Sequence, residues 1–127
     1  MQQRILLVDD EKQLVHTLRQ TLLIELPGSH IDAAYSGEEA LSKLADAAYH
    51  LIVADLRMPG FDGLELIKGV RYLDESVPII LMTGYGSQGV AHEAARLGVN
   101  HYVDKPFDVP GLLAIIRQLL AQEGTVA

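Results

Sequence analysis

The sequence predicts one α/β domain in which parallel strands alternate with helices. Short apolar runs that end in polar or turn residues alternate with stretches whose apolar residues recur every three or four positions. The first pattern is typical of buried strands and the second of amphipathic helices. Alternation of the two implies a parallel sheet with right-handed crossovers and helices on both faces. A length of 127 residues fits one such domain with its own core, and we treat 1–127 as that domain.

The strands are predicted at five places along the chain. They are residues 5–8, 30–35, 51–54, 78–82 and 101–103. The second is the weakest, because polar and apolar residues are mixed in it.

The intervening helices are predicted from periodicity and from capping residues. Ser36 and Glu39 fit a capping box at the start of the second helix, and Asp108 caps the fifth, with Pro110 in its first turn. The apolar residues on which the five helices are predicted are, in chain order, Leu14, Val15, Leu18, Leu22; Leu41, Leu44, Ala45, Ala48, the buried face of the second helix; Leu66, Ile67, Val70, Leu73; Val90, Ala91, Ala94, Ala95, Leu97; and Leu112, Leu113, Ile116, Leu119, Leu120.

Composition limits the classes of function. The net charge of −7 disfavours direct nucleic-acid binding by this domain, which would need a basic face. Cysteine is absent, which excludes disulfide and thiol chemistry. No apolar run approaches membrane length and no signal-peptide pattern is present, so we expect no membrane association and a cytoplasmic location.

Polar residues follow four of the five strands. Asp9 and Asp10 follow the first, Asp55 the third, Thr83 the fourth and Lys105 the fifth. In a flavodoxin-like sheet of order 2-1-3-4-5 the carboxyl ends of the strands share one edge, and strands 1 and 3 flank the switch point. These side chains are therefore expected to converge. The run Asp9-Asp10-Glu11 taken alone could simply begin a helix.

The charge of this set favours a divalent cation. Three carboxylates and one ammonium leave two negative charges, and clustered carboxylates repel one another unless a cation is present. Hard oxygen ligands suit Mg²⁺, which is commonly held by one or two carboxylates together with phosphate oxygens. Asp55 could then act as a nucleophile toward a phosphoryl group, with Lys105 offsetting charge.

With these motifs the chain resembles the receiver domain of two-component response regulators over essentially its whole length. The matching residues are the pair Asp9-Asp10, Asp55 in ADLRMPGFDG, Thr83 in LMTG, Tyr102, and Lys105-Pro106-Phe107. The resemblance implies the flavodoxin-like (βα)5 three-layer sandwich.

The resemblance also implies roles for these residues. Asp55 would accept a phosphoryl group from the phosphohistidine of a histidine kinase or phosphotransfer protein. Mg²⁺ would be bound by Asp10, Asp55 and the backbone carbonyl of Arg57, with Asp9 alongside, partly through water. Lys105 and the Thr83 hydroxyl would contact the phosphoryl group, and Tyr102 would be the switch aromatic.

The implied output is a phosphorylation-dependent change of one surface. It is formed by the fourth helix, fifth strand and fifth helix, and it would control an output domain or a downstream protein. The same surface could also form a phosphorylation-dependent homodimer, which the sequence does not decide. Two alternatives are a Mg²⁺-dependent aspartyl-phosphate phosphohydrolase and a pseudo-receiver that works without phosphorylation. We expect no enzyme beyond self-phosphorylation and slow self-dephosphorylation.

Three variable positions are expected to tune the site. The guanidinium of Arg57 could pair with an acidic neighbour or reach the phosphoryl group, and the ring of Tyr85 could shield that group from water. Gly84 leaves space for a donor histidine. Because neither the Arg57 nor the Tyr85 side chain is expected to position a water molecule well, we expect slow autodephosphorylation.

Overall fold

A computed structural model describes residues 3–55, 57–58, 61–83, 88–105 and 107–125. The main sheet consists of β1 (Arg4–Val8), β2 (His30–Ala34), β3 (Leu51–Asp55), β4 (Ile79–Thr83) and β5 (His101–Asp104). All its pairings are parallel, and the order is β2-β1-β3-β4-β5. The predicted flavodoxin-like sheet is therefore confirmed, including the weak second strand.

Helices cover both faces of this sheet. They are α1 (Lys12–Glu25), α2 (Gly37–Asp46), α3 (Gly63–Leu73), α4 (Gln88–Arg96) and α5 (Val109–Thr125). Buried residues of α1 and α5 pack with one set of strand side chains, and those of α2, α3 and α4 pack with the other. Because successive side chains of a strand point to opposite faces, each buried strand serves both cores, which explains its continuous apolar run.

The predicted caps form at two helices. The Ser36 side chain accepts a hydrogen bond from the backbone N–H of Glu39 at 3.1 Å, and Asp108 accepts one from the N–H of Gly111 at 2.8 Å. The Glu39 carboxylate accepts from the N–H of Tyr35 at 3.4 Å rather than from that of Ser36, so the capping box is shifted by one residue.

Four of the apolar residues on which the helices were predicted are exposed among the side chains that the structure describes, and those of Val90 and Ala91 lie outside that part. Ala45, Ala48 and Ala95 are exposed, and Leu73 is 46% exposed. Helix α2 ends at Asp46, so Ala48 lies beyond it, and Leu73 is the last residue of α3. The periodic apolar pattern thus continues in the sequence to and beyond the helix ends, where the side chains line an open cleft between α2 and α3 and stay accessible to solvent.

Gly69 marks a close approach of α3 to α2. A Cβ atom at Gly69 would lie 2.8 Å from a methyl carbon of Leu41. The glycine weakens the helix locally by about 1 kcal/mol, but it lets α2 and α3 pack closely.

A two-residue antiparallel ladder was not predicted. Arg57–Met58 pairs with Phe61–Asp62 directly after β3. Strands this short carry no detectable alternation in sequence.

Two groups of polar contacts lie elsewhere in the fold, and the first is centred on Arg71. The guanidinium of Arg71 donates to the carbonyls of Leu97 (2.9 Å), Gly98 (2.8 Å), Val77 (2.7 Å) and Asp74 (3.3 Å), and so joins α3 to the end of α4.

In the middle of β2 a second arrangement surrounds the carboxylate of Asp32. Asp32 accepts a hydrogen bond from Tyr49 at 2.5 Å and contacts the His30 ring at 2.8 Å. Burial of the ring, together with the hydrogen bond to Asp32 and the charge of that carboxylate, raises the pKa of Tyr49 to about 12. Neither arrangement lies at the carboxyl edge of the sheet.

None of the helices in the described residues has the length and apolar character needed to cross a membrane.

Candidate functional site

The candidate site is at the carboxyl edge of the central strands. Asp55 is the last residue of β3, Thr83 is the last residue of β4, and Asp9 directly follows β1. Since β3 pairs with both β1 and β4, these three residues end neighbouring strands. All three are buried, with exposures of 1% for Asp9, 5% for Asp55 and 0% for Thr83. Buried carboxylates at strand ends require a compensating charge.

Lys105 supplies that charge. Its ammonium group lies 2.9 Å from Asp9 Oδ2, 3.3 Å from Glu11 Oε1 and 3.4 Å from Asp55 Oδ2. The backbone N–H of Lys105 donates to the Thr83 carbonyl at 2.7 Å, which fixes the chain just after β5 beside β4. One ammonium group therefore contacts three carboxylates that arise from two different strand ends and the residue before α1.

Burial and charge act in opposite directions on Lys105. Burial by itself lowers the pKa of its ammonium group, but the hydrogen bond to Asp9 and the charges of Asp9 and Asp55 outweigh it. The pKa is consequently raised above the ordinary value, and Lys105 is fully charged at neutral pH.

Asp9, Glu11 and Asp55 form a group suited to a cation. One carboxylate oxygen from each lies within 4.8 Å of the others. With Lys105 counted, this set retains two negative charges, and its donors are hard oxygens that match Mg²⁺ better than a soft metal. The donors therefore fit the expected cation.

The acidic run after β1 is arranged differently from the expectation. Asp10 is exposed and is outside the carboxylate group found among the described residues, whereas Glu11 belongs to it. The backbone N–H of Glu11 donates to Asp9 Oδ1 at 3.0 Å, and this turn brings Glu11 back over the site. A ligand role for Asp10 stays a prediction.

Glu11 was not assigned to the site from the sequence. The available signal was its place in the run Asp9-Asp10-Glu11, where an acidic residue just before a helix has a simpler explanation. Only the contact with Lys105, 94 positions away in the sequence, shows that Glu11 also belongs to the group of carboxylates around that ammonium group.

Thr83 and Tyr102 lie on the same face of the sheet. Leu81 pairs with Tyr102 and Thr83 pairs with Asp104, so Thr83 and Tyr102 occupy diagonal positions on neighbouring strands. Tyr102 packs against the core shared with α3 and α4. Its hydroxyl is buried and has no hydrogen-bond partner within the described part of the chain.

The structure leaves part of the expected tuning set undescribed. The backbone of Arg57 forms the short ladder two residues after Asp55, but its side chain is outside the described residues. Gly84 and Tyr85 also lie outside them.

Fold and site together define a phosphoacceptor-type α/β domain, and comparison with known proteins agrees. The family model of the response regulator receiver domain matches residues 5–117. This chain therefore belongs to the response regulator receiver domain family.

Individual relatives support the same family. The response regulator protein FleR of Pseudomonas aeruginosa is 40% identical over 123 residues, which cover 96% of this chain and 26% of FleR. A CheY-like receiver domain protein of Methanospirillum hungatei JF-1 superposes with a TM-score of 0.94 at 27% identity over 100% of both chains. The regulator TrrA of Thermotoga maritima, solved in complex with Mg(2+)-BeF, gives a TM-score of 0.80 at 35% identity over 92% of this chain and 98% of TrrA.

The chain spans between about a quarter and about half of the length of the first curated relatives.

Proposed function

We propose that this domain is a phosphorylation-activated switch whose phosphoacceptor is Asp55. The phosphoryl group would come from the phosphohistidine of a histidine kinase or phosphotransfer protein. The P–N bond breaks, a P–O bond forms to the Asp55 carboxylate, and the leaving imidazole takes up a proton. The domain would catalyse this self-phosphorylation and a slow self-dephosphorylation. Residues 1–127 constitute the receiver domain in this proposal.

The observation that carries the proposal is the contact between Lys105 and Asp55. A buried carboxylate at the carboxyl end of a central strand lies 3.4 Å from an ammonium group that also contacts Asp9. A cation held beside a nucleophile offsets the charge of a transferring phosphoryl group, and such positioned charge is the main element of catalysis in phosphoryl transfer.

We propose Mg²⁺ as the cofactor. The residues that would hold it are Asp10, Asp55 and the Arg57 carbonyl, with Asp9 alongside, and the Mg(2+)-BeF complex of TrrA supports this metal. When bound, Mg²⁺ supplies positive charge to the phosphoryl oxygens. The chain's own contribution is to hold the carboxylates together and to supply Lys105 as a second cation.

Activation would proceed through Thr83 and Tyr102. Phosphorylation replaces a −1 carboxylate by a group of about −2 charge with additional acceptor oxygens, and the Thr83 hydroxyl can donate to one of them. Movement of Thr83 toward that group would alter the packing next to Tyr102, which lies on the same sheet face. Within the described residues the buried Tyr102 hydroxyl has no hydrogen bond that such a change would break.

The surface that would change is formed by α4, β5 and α5, because Tyr102 lies in β5 and packs on the α4 side of the sheet. An output domain or downstream protein would bind it, and a phosphorylation-dependent homodimer would use the same surface. Receiver domains act with histidine kinases and output domains, and FleR is a response regulator protein. We place the domain in the cytoplasm and assign it no direct contact with nucleic acid or membrane.

The lifetime of the phosphoryl group would depend on Arg57, Gly84 and Tyr85. The proposal for these residues rests on their positions in the sequence. Arg57 comes two residues after Asp55, and Gly84 and Tyr85 come one and two residues after Thr83. A Tyr85→Ala variant is expected to lose its phosphoryl group faster than the wild type. Equal rates would contradict shielding by the ring.

Intact-mass spectrometry after incubation with acetyl phosphate and Mg²⁺ tests the function. The wild type should gain one phosphoryl group, Asp55→Asn should gain none, and the exposed control Asp46→Asn should behave as the wild type. Continuous turnover of phosphorylated substrates would favour a phosphohydrolase, and no addition to the wild type would favour a pseudo-receiver. Amide NMR shifts at Thr83, Tyr102 and α4 that are the same before and after phosphorylation would contradict the switch.

A further inference from the structure

We propose that Glu11 is a positioning residue that restrains Lys105 and opposes phosphorylation, so that it sets the rate at which Asp55 is phosphorylated. This inference rests on the proposed function and adds a role that the family resemblance does not assign to Glu11.

The first support is the geometry of the shared ammonium group. Lys105 is 3.3 Å from Glu11 and 3.4 Å from Asp55, so the two carboxylates contact it at nearly equal distances. The Asp9 contact, at 2.9 Å, is shorter than either. An ammonium group has three N–H donors, and Asp9, Glu11 and Asp55 each contact that of Lys105, so a phosphoryl group at Asp55 has to share these donors with Glu11. Glu11 therefore competes directly with the phosphoryl group for the same cation.

The second support is the charge of Glu11 itself. An oxygen of its carboxylate lies within 4.8 Å of one from Asp55, which is inside the range where unscreened charges interact strongly. A phosphoryl donor and the phosphorylated product both bring additional negative charge to this place. Glu11 repels both, and the exposed position of its side chain, at 64%, leaves this repulsion sensitive to salt.

The arrangement also distinguishes Glu11 from the other two carboxylates. The Asp9 and Asp55 side chains are 2% and 7% exposed, so Lys105 compensates charges that are costly to bury. Glu11 is solvated and has no such need for a partner. Removing its charge should therefore leave the fold intact and release Lys105 toward Asp55.

The test compares Glu11→Gln with the wild type for phosphorylation by acetyl phosphate in saturating Mg²⁺. In this reaction the P–O bond of acetyl phosphate breaks, acetate leaves and the acyl phosphate of Asp55 forms. The reaction is followed by measuring the intact mass of the protein against time. We expect Glu11→Gln to react about 3- to 10-fold faster at low ionic strength. The ratio should approach one at 1 M salt, where the Debye length is about 3 Å. A merely structural role would not produce this salt dependence.

Two further variants separate the explanations. Glu75→Gln makes the same change of net charge in the connection after α3, and it should react as the wild type. Glu11→Asp keeps the charge but shortens the side chain, and its rate should stay within about twofold of the wild type if repulsion dominates. Equal rates for Glu11→Gln and the wild type would overturn the inference, as would a slower Glu11→Gln.

A separate measurement tests whether Glu11 is instead a ligand of the metal, since its carboxylate belongs to the group suited to a cation. Calorimetric titration of the unphosphorylated protein with Mg²⁺ should give Glu11→Gln an affinity within about threefold of the wild type. A loss of tenfold or more would mean that Glu11 binds the metal, and the inference would be wrong. Failure of the wild type to take up any phosphoryl group would instead refute the proposed function, so the two failures are distinguishable.

Discussion

Replacement of Lys105 by methionine tests the electrostatic design of the site. The change keeps a long unbranched side chain but removes the ammonium group that contacts Asp9 at 2.9 Å and Asp55 at 3.4 Å. Both carboxylates are then left buried without their cation. Breaking a fully buried ion pair costs about 3–5 kcal/mol. Because the Lys105 side chain is 17% exposed, water can reach it, and we expect a loss of about 2 kcal/mol in the free energy of unfolding at pH 7.

The pH dependence of this loss has a definite sign. The pKa of Lys105 is raised in the folded protein, since its hydrogen bond to Asp9 and nearby carboxylate charges outweigh burial. Its contribution to stability is therefore fully present below the ordinary lysine pKa of about 10.4, and it disappears as the pH rises through the raised value. The difference between the two proteins should be constant from pH 7 to 9 and should shrink in more alkaline solution.

Urea unfolding followed by far-UV circular dichroism is the suitable assay, because the chain contains no tryptophan for fluorescence. Lys68→Met is the matched control, since Lys68 is exposed on α3 and its replacement changes the net charge equally. The control should stay within about 0.5 kcal/mol of the wild type. If Lys105→Met unfolds at the same urea concentration as Lys68→Met, Lys105 does not compensate the buried carboxylates and the reasoning is refuted.

Three other predictions concern Arg71 and Tyr49, which lie away from the site, and Tyr102. Arg71→Met should lower the free energy of unfolding by about 2 kcal/mol, because the carbonyls of Leu97 and Gly98 lose a charged hydrogen-bond donor. Amide hydrogen exchange at the end of α4 should become faster. Unchanged exchange would contradict the role of Arg71 in holding the end of α4 to α3. Tyr49→Phe should cost about 1–2 kcal/mol at pH 7 by urea unfolding. Burial opposes ionisation of Asp32, but the Tyr49 hydrogen bond and the His30 charge outweigh it and lower the pKa of Asp32. The difference in the free energy of unfolding between Tyr49→Phe and the wild type should therefore diminish as the pH falls below about 3.9. A difference independent of pH would argue against this coupling. Tyr102→Phe should be neutral or up to about 1 kcal/mol stabilising in the same assay, because it removes a buried hydroxyl without a described partner, and a clear destabilisation would show that the hydroxyl is satisfied.

Strand positions and sheet order were predictable because they follow from buried apolar runs and from the rules for parallel connections. The alternation of runs and helices determines the topology, and the match of residues 5–117 to the receiver family model agrees with it. Helix ends were less predictable. Ala48 and Leu73 continue an apolar pattern past the point where a neighbouring element covers it.

The convergence of Asp9, Asp55, Thr83 and Lys105 was predictable from sheet topology alone, because each follows or ends a parallel strand. The position of Glu11 was not. Its contact with Lys105 depends on a turn closed by its own N–H to Asp9, and no periodic pattern reports such a turn.

The orientation of the Tyr102 hydroxyl was likewise unpredictable. The sequence placed Tyr102 in the site through the family resemblance alone, and the structure shows that its hydroxyl is buried. Side-chain direction at the end of a short edge strand depends on its packing neighbours, and the local sequence does not specify them.

The most direct test of the central claim locates the phosphoryl group on the chain. Protein phosphorylated with acetyl phosphate and Mg²⁺ is treated with borohydride, which reduces an acyl phosphate to the alcohol, and is then mapped by peptide mass spectrometry. The account predicts one reduced residue, at Asp55, and none in the Asp55→Asn variant. Reduction at Asp9, Asp10 or Glu11, with Asp55 unmodified, would contradict the assignment of Asp55 as the phosphoacceptor.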